Sequence, residues 1–170
     1  MDIKSELKYI FGNVNEWLKF AESKHAGLIV LNAGLVVGII SGYLNIQSCI
    51  FKPCLLLGII CFGLSIFLSI ISLFPVTQNI FINRKDVTNP NLYFFGHLAN
   101  LNIDDFLQEI KRVDNSYVED KLDKDLINQI LVNSRITQAK YTIFKFASYI
   151  SAFGFGIIGF STAIKILWHF

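Results

Sequence analysis

Basic and aromatic side chains that could bind a nucleotide occur in the middle of the chain. Four basic residues could hold a phosphate, and four aromatic residues offer ring faces on which a base could stack. The basic residues are Arg84, Lys85, Arg135 and Lys140, and the aromatic residues are Tyr93, Phe94, Phe95 and Tyr141. Alternatively, the basic residues anchor the protein to lipid head groups and the aromatic residues form the core of a helical module.

Residues that could catalyse a reaction are scarce. The sequence has no Gly-x-Ser-x-Gly, Walker, His-Glu-x-x-His or dinucleotide-binding motif. Its histidines, His25, His97 and His169, are far apart and lack an acidic partner at ligand spacing. The pair Asp104 and Asp105 begins a predicted helix, where it would interact with the helix dipole. We therefore predict that the protein is not an enzyme and has no metal site. We also expect no cofactor and no nucleic-acid partner.

Long uncharged stretches predict an integral membrane protein. Hydrophobic residues make up 53% of the chain and charged residues 16%, against about 25% charged residues in soluble domains. Residues 25–51 and 53–83 contain no Asp, Glu, Lys or Arg. A helix needs about 20 apolar residues to cross the lipid bilayer. The sequence thus predicts a transmembrane hairpin, with spans at residues 27–44 and 54–74 and a turn that contains Lys52 and Pro53.

A third uncharged segment predicts another span. Residues 146–164 lie between Lys145 and Lys165 and are long enough to cross a bilayer. A helical pattern that starts at about Ser116 runs into this segment without proline or glycine. Its apolar positions are Val118, Leu122, Leu126, Ile130, Ile136, Tyr141 and Phe144. We predict one long helix that joins a water-facing region to the third span.

The predicted fold class is an all-α membrane protein with four parts. These are an amphipathic cytosolic helix (1–25), the transmembrane hairpin (26–75), a cytosolic helical module (76–145) and a third span with a short tail (146–170). The first helix has an apolar face, which would lie on the membrane or pack against the later helices. In the module, Asn102 and Asp105 have the spacing of a capping box before a helix that runs to about Val113.

The distribution of basic residues predicts the orientation. Four Lys precede the first span and nine Lys or Arg lie between the second and third, whereas only Lys52 and Lys165 lie elsewhere. The positive-inside rule then places the N-terminus and residues 76–145 in the cytoplasm. We expect a multi-pass protein of the bacterial inner membrane, with the lipid bilayer as a partner.

Small residues recur along one side of each span of the hairpin. Gly34, Gly38 and Gly42 form a glycine ladder, which predicts close helix packing within or between chains. The buried amide of Asn32 requires a partner helix or water. The second span carries a stripe of small residues, Gly58, Cys61, Ser65, Ser69 and Ser72. Both Asn32 and this stripe are either packing surface or the lining of a pore.

All three cysteines, Cys49, Cys54 and Cys61, lie in the hairpin. We interpret them as small buried hydrophobic residues. The alternative is that Cys49 and Cys54, which flank the turn, form a disulfide if the turn lies outside the cytoplasm.

Three stretches, which follow in the same order along the chain, resemble the membrane effectors of the pyrimidine cyclase antiphage systems, known as Pycsar. The first runs from Ala21 to Gly34, the second from Asn91 to Ala99 and the third from Gln129 to Tyr141. Pro75 closes the second span as in that family, although no arginine directly follows it here, so that Arg84 or Lys85 would serve instead. Related two-span effectors of other nucleotide-signalling systems are the alternative within this class.

This resemblance implies an antiviral effector that responds to cyclic UMP or cyclic CMP and impairs the inner membrane, which leads to abortive infection. By position, the family motifs fall on Asn32, residues 93–97 including His97, Arg135, Lys140 and Tyr141. A homo-oligomer is expected because several nucleotide sites would supply the switching energy more easily than one. The alternative from another class is a non-signalling membrane scaffold or assembly subunit whose cytosolic helices bind a protein partner.

Overall fold

A computed structural model describes residues 2–43, 51–74 and 89–168. Of these residues, 87% are helical, and no strand occurs among them. The helices are α1 (Ile3–Tyr43), α2 (Phe51–Leu73), α3 (Phe95–Leu98), α4 (Ile103–Val113) and α5 (Lys121–Trp168). The predicted all-α class is therefore confirmed.

Three of these helices, α1, α2 and α5, are long and apolar enough to cross a membrane. The predicted hairpin turn is corrected at one point, because Lys52 and Pro53 lie in the first turn of α2 rather than before it. Proline is tolerated there, since the first amide groups of a helix have no partner within the helix. Pro75, which was predicted to end this helix, lies outside the described residues.

Contacts divide the chain into two compact units. We call Met1–Ala21 with Pro75–Tyr141 the module, and Glu22–Phe74 with Thr142–Phe170 the spanning unit. Helices α1 and α5 each supply residues to both units.

The module has its own apolar core, to which α1, α3, α4 and α5 contribute. Its fully buried side chains include Val14, Leu98, Phe106, Ile127 and Ile130. Of the two places predicted for the apolar face of the first helix, the structure shows packing against the later helices of the module. This burial stabilises the first part of α1 through the hydrophobic effect.

Local polar contacts set the limits of α4 and of the turn before α3. The Asn102 side chain accepts a hydrogen bond from the Asp105 backbone N–H at 2.8 Å, and Asp105 Oδ2 accepts one from the Asn102 N–H at 3.2 Å. The predicted capping box is thus confirmed. In the predicted turn, Asn89 has a φ of 54°, in the left-handed region that asparagine tolerates.

The start of α5 differs from the prediction. The helix begins at Lys121 rather than near Ser116. Asp120 Oδ1 accepts a hydrogen bond from the Asp123 N–H at 2.8 Å, and Asp123 Oδ2 accepts one from the Asp120 N–H at 3.3 Å. This reciprocal pair caps the helix N-terminus at Asp120. The hydrogen bond from Lys4 Nζ to Asp120 lowers the pKa of this carboxyl group.

The buried face of α5 contains only part of the apolar pattern that predicts the helix. Val118 precedes the helix and is 83% exposed, and Leu122 is 76% exposed. Ile130 of the predicted pattern is buried in the core, together with Ile127 and Leu131, which the pattern does not include. A spacing of four residues predicts a shared side of a helix but not that the side is buried.

Helices α2 and α5 approach closely within the spanning unit. A Cβ atom at Gly154 would lie 3.0 Å from Cys61 Cβ and 3.2 Å from the Phe62 ring, and one at Gly58 would lie 2.5 Å from Ile158 Cδ1. The absence of side chains at the two glycines therefore permits this packing.

Candidate functional site

A network of polar side chains joins the three helices of the spanning unit. Asn32 Nδ2 on α1 donates to Ser65 Oγ on α2 at 2.8 Å, and Ser65 Oγ donates to the Ala147 carbonyl on α5 at 2.8 Å. Ser151 Oγ on α5 donates to Asn32 Oδ1 at 2.6 Å. Asn32 and Ser65 are fully buried and Ser151 nearly so. The amide of Asn32 thereby has the partner helices that sequence reasoning required.

Other members of the stripe of small residues on α2 are buried in the same unit. Ser72 Oγ lies 2.9 Å from Nε2 of His25, whose ring packs edge-on against Phe144. Ser69 is also buried, and its hydroxyl has no hydrogen-bond partner among the described residues. Gly58 and Cys61 are buried beside them. In this conformation the stripe is a packing surface between helices of one chain.

The glycine ladder of α1 has no such neighbours. Gly34, Gly38 and Gly42 are exposed, and a Cβ atom at each would have no described heavy atom within 4 Å, apart from its own helix backbone. The close packing predicted for the ladder is therefore not made by the described part of this chain.

An aromatic cluster forms in the module from four of the predicted nucleotide-binding residues. The rings of Phe95 and Tyr141 are stacked with centroids 5.2 Å apart. Phe94 lies 4.9 Å from Phe95 and 5.3 Å from His97, again between ring centroids. Phe95 is buried, whereas Phe94 is 42% exposed. Phe94 thus presents ring surface that a base could reach.

Trp17 is a member of this cluster that sequence reasoning did not identify. Its ring centroid lies 5.6 Å from that of Phe95 and 6.3 Å from that of Tyr141. The available signal was its position on the same side of α1 as Val14, which faces the core of the module. A tryptophan on that side is placed to pack on aromatic residues from later in the chain.

Arg135 and Lys140 are positioned by the interior of the module. Arg135 donates to the Leu101 carbonyl at 2.8 Å and, more weakly, to the Ala99 carbonyl at 3.4 Å. Lys140 is buried. The other two predicted phosphate ligands, Arg84 and Lys85, lie outside the described residues. Arg135 therefore supports the segment that directly follows α3, the helix that contains Phe95 and His97.

His97 stabilises the turn before α3. Its Nδ1 accepts a hydrogen bond from the backbone N–H of Asn91 at 2.9 Å. A neutral imidazole that accepts at Nδ1 carries its proton at Nε2. His97 therefore closes the turn that precedes Phe94.

Tyr93 points to a different part of the module. Its hydroxyl donates to Glu6 Oε2 at 2.9 Å, and this hydrogen bond to a carboxylate raises the pKa of the phenol. Asn13 Nδ2 donates to the Tyr93 carbonyl at 2.8 Å. The predicted aromatic patch is thus divided, with Tyr93 held on α1 and Phe94 in the cluster.

Beside Tyr93 lies an open cavity of about 330 Å³, which we call the groove. Its apolar lining includes Leu7, Leu92, Ile110 and Val113, and its charged lining consists of Glu6 and Glu109. No basic residue lines it. A phosphate would be repelled by both carboxylates, so the groove is unsuited to a nucleotide.

No curated protein matches the chain, and no solved structure does so. A family model does match, over residues 6–167, and its description is Pycsar effector protein domain. Members of this family are membrane effectors that do not depend on a cofactor. The chain therefore belongs to the Pycsar effector family, which gives it a role in antiphage defence as a multi-pass membrane protein.

Proposed function

We propose that this protein is the effector of a Pycsar system, which a cyclic pyrimidine nucleotide, cyclic UMP or cyclic CMP, converts from an intact membrane bundle into one that impairs the bacterial inner membrane. Growth would then stop before the phage matures. The observation that carries the proposal is the family match over residues 6–167, which includes both the module and the three spans.

The polar network supports the first step of this account, a closed resting state. Asn32, Ser65 and Ser151 satisfy one another inside the spanning unit. The stripe of small residues on α2 cannot line a water-filled pore while it packs against neighbouring helices. We propose that the activated state repacks the three helices and exposes these hydroxyl groups to water, which can replace their partners.

The aromatic cluster supports a nucleotide site in the module. Phe94 is the member with the most accessible ring. Phe95 packs against it, and Tyr141 in turn stacks on Phe95. A pyrimidine base would stack on Phe94, and the phosphate would be held by Arg135, Lys140, Arg84 or Lys85. The nucleotide acts only through different affinities for the two states, and a change from 1:99 to 99:1 requires about 5.5 kcal/mol.

The glycine ladder supports self-association in the bilayer. An exposed ladder against which no described residue packs allows a second copy to approach with its backbone in close contact. Several copies would each bind a nucleotide and so share the switching energy. We propose an inner-membrane homo-oligomer whose N-terminus and residues 76–145 face the cytoplasm, where the nucleotide is made.

Calorimetric titration of the purified protein in nanodiscs tests the nucleotide site. We expect cyclic UMP or cyclic CMP to bind, and Phe94→Leu to weaken binding about tenfold, because stacking of one base contributes about 1–3 kcal/mol. Phe153→Leu is the matched control, since Phe153 is an exposed phenylalanine of the spanning unit. Absence of binding by both cyclic nucleotides, with 5′-UMP and 5′-CMP as linear controls, would reject the proposal.

A further inference from the structure

Two exposed apolar residues of the module lie near an exposed lysine in sequence, a positive charge that the groove lacks. Val118 and Leu122 are the most exposed large apolar residues of the described chain, at 83% and 76%. Glu119, Asp120 and Lys121 lie between them in sequence. Glu119 pairs with Lys111 and Asp120 with Lys4, whereas Lys121 is exposed and makes no ion pair with any described residue. We call Val118, Lys121 and Leu122 the knob.

The groove offers the complementary chemistry on the same module. Its floor is apolar, and its two charged lining residues are both acidic. Tyr93 holds Glu6 and Arg112 holds Glu109, the latter with Arg112 Nη1 at 2.6 Å from Glu109 Oε1. A carboxylate has room for further donors beyond one hydrogen bond. An exposed lysine that has exposed aliphatic residues near it in sequence therefore matches the groove in both polarity and charge.

We propose that the knob of one copy of this protein inserts into the groove of a second copy. Val118 and Leu122 would leave water against the apolar floor, and Lys121 would pair with Glu6 or Glu109. The burial of two such aliphatic side chains is favourable, because each loses most of its contact with water. The contact joins two different surfaces, so it is heterologous and repeats head to tail around a ring or along a filament.

This contact deepens the self-association proposed above and therefore shares its assumption that several copies assemble. It differs in its location, because both surfaces belong to the module. A ring of modules would set the number of spanning units around an axis. The contact needs no nucleotide, and its test can consequently fail while the nucleotide response succeeds.

Cross-linking between two single-cysteine chains tests the geometry directly. The native cysteines Cys49, Cys54 and Cys61 are first replaced by alanine. One chain then carries Val113→Cys in the groove and a differently tagged chain carries Leu122→Cys in the knob; both positions are exposed, so the substitutions should not disturb folding. We expect a disulfide-linked heterodimer after mild oxidation of the mixed proteins in nanodiscs or liposomes.

The control chain carries Gln108→Cys, because Gln108 is exposed on α4 but does not line the groove. We expect Gln108→Cys mixed with Leu122→Cys to give at least tenfold less heterodimer. Equal yields from the control would overturn the proposal, as would a Val113→Cys homodimer in place of the heterodimer, since that pairing indicates a symmetric contact.

Charge reversal gives a second readout that does not depend on cysteine chemistry. Lys121→Glu should weaken self-association about tenfold, and Glu109→Lys on the same chain should restore it at least in part. Lys8→Glu is the control, since Lys8 is exposed on α1 and does not line the groove. An unchanged oligomer size with Lys121→Glu, measured by mass photometry, would overturn the proposal.

Discussion

The two small-residue stripes of the hairpin have the same sequence character but different surroundings. The stripe of α2, which includes Ser65, packs against helices of the same chain. In the ladder of α1, a Cβ atom at Gly38 would meet no described heavy atom within 4 Å outside its own helix. Small residues at intervals of three or four thus predict that another helix can approach closely. They do not predict whether that helix belongs to the same chain.

The polar residues of the hairpin explain this difference. Asn32 lies away from the ladder and turns a different side of α1 towards α2 and α5, where Ser65 and Ser151 satisfy its amide. In lipid, unsatisfied polar groups cost more than unpacked glycines. The side of α1 that faces the bundle is therefore the one with the amide, and the ladder is left outside.

The largest contrast is expected between leucine substitutions in the two kinds of packing. Gly154→Leu should destabilise the spanning unit by about 2 kcal/mol or more, because even its Cβ atom would press on Cys61 and the Phe62 ring. Gly38→Leu should leave the stability unchanged within about 0.5 kcal/mol. Unfolding in mixed micelles by SDS titration, followed by far-ultraviolet circular dichroism, measures both. Equal losses of stability would contradict the assignment of the ladder to the outer side.

The next largest effect concerns the network itself. Asn32→Leu should cost about 1–2 kcal/mol, because Ser151 then loses its acceptor inside the bundle. If the network holds the resting state, this variant should also leak in liposomes without nucleotide. Ser41→Ala is the control on the same helix, since the Ser41 hydroxyl is exposed and donates only to the Val37 carbonyl of its own helix. If liposomes with the Asn32→Leu variant do not leak without nucleotide, contacts other than this network stabilise the resting state.

A smaller effect is expected for Gly38→Leu on assembly rather than on folding. The bulky side chain would keep a second helix away from the ladder and weaken self-association about fivefold, which corresponds to about 1 kcal/mol. Fluorescence energy transfer between labelled copies in liposomes at several protein-to-lipid ratios measures it. Val30→Leu is the control, because Val30 is an exposed residue of α1 outside the ladder. Unaltered transfer would exclude the ladder as a contact between copies.

The smallest effect distinguishes two serines of the same stripe. Ser69→Ala should change stability by less than about 0.5 kcal/mol, because its buried hydroxyl has no described partner whose loss would cost energy. Ser65→Ala should cost about 1 kcal/mol, since Ser65 both accepts from Asn32 and donates to the Ala147 carbonyl. The same SDS titration compares them. A larger loss of stability for Ser69→Ala than for Ser65→Ala would contradict the absence of a described hydrogen-bond partner for the Ser69 hydroxyl.

The fold was predictable where the signal is local. Uncharged length indicated the three spanning helices, and the spacing of Asn102 and Asp105 indicated the start of α4. The start of α5 was not predictable from apolar spacing, because the polar side chains of Asp120 and Asp123 set it by capping the helix N-terminus. Whether Leu122 is buried depends on contacts far along the chain, which a periodic pattern does not specify.

The sequence indicated which types of residue the candidate sites contain, but not which of these residues lie together in the fold. Sequence reasoning selected Tyr93 and Phe94 together, yet the hydrogen bond to Glu6 separates Tyr93 from the aromatic cluster. It also missed Trp17, which comes from a distant part of the chain to complete that cluster. Such groupings arise from tertiary packing, and neighbouring positions in sequence do not reveal them.

Dye release from liposomes that contain only the purified protein tests the central claim most directly. Cyclic UMP or cyclic CMP should release the dye within minutes, whereas 5′-UMP, 5′-CMP and liposomes without protein should give no release. Phe94→Leu should shift the required nucleotide concentration upwards about tenfold while the maximal release is kept. Liposomes that stay sealed with both cyclic nucleotides, although the protein is folded and inserted, would contradict the account.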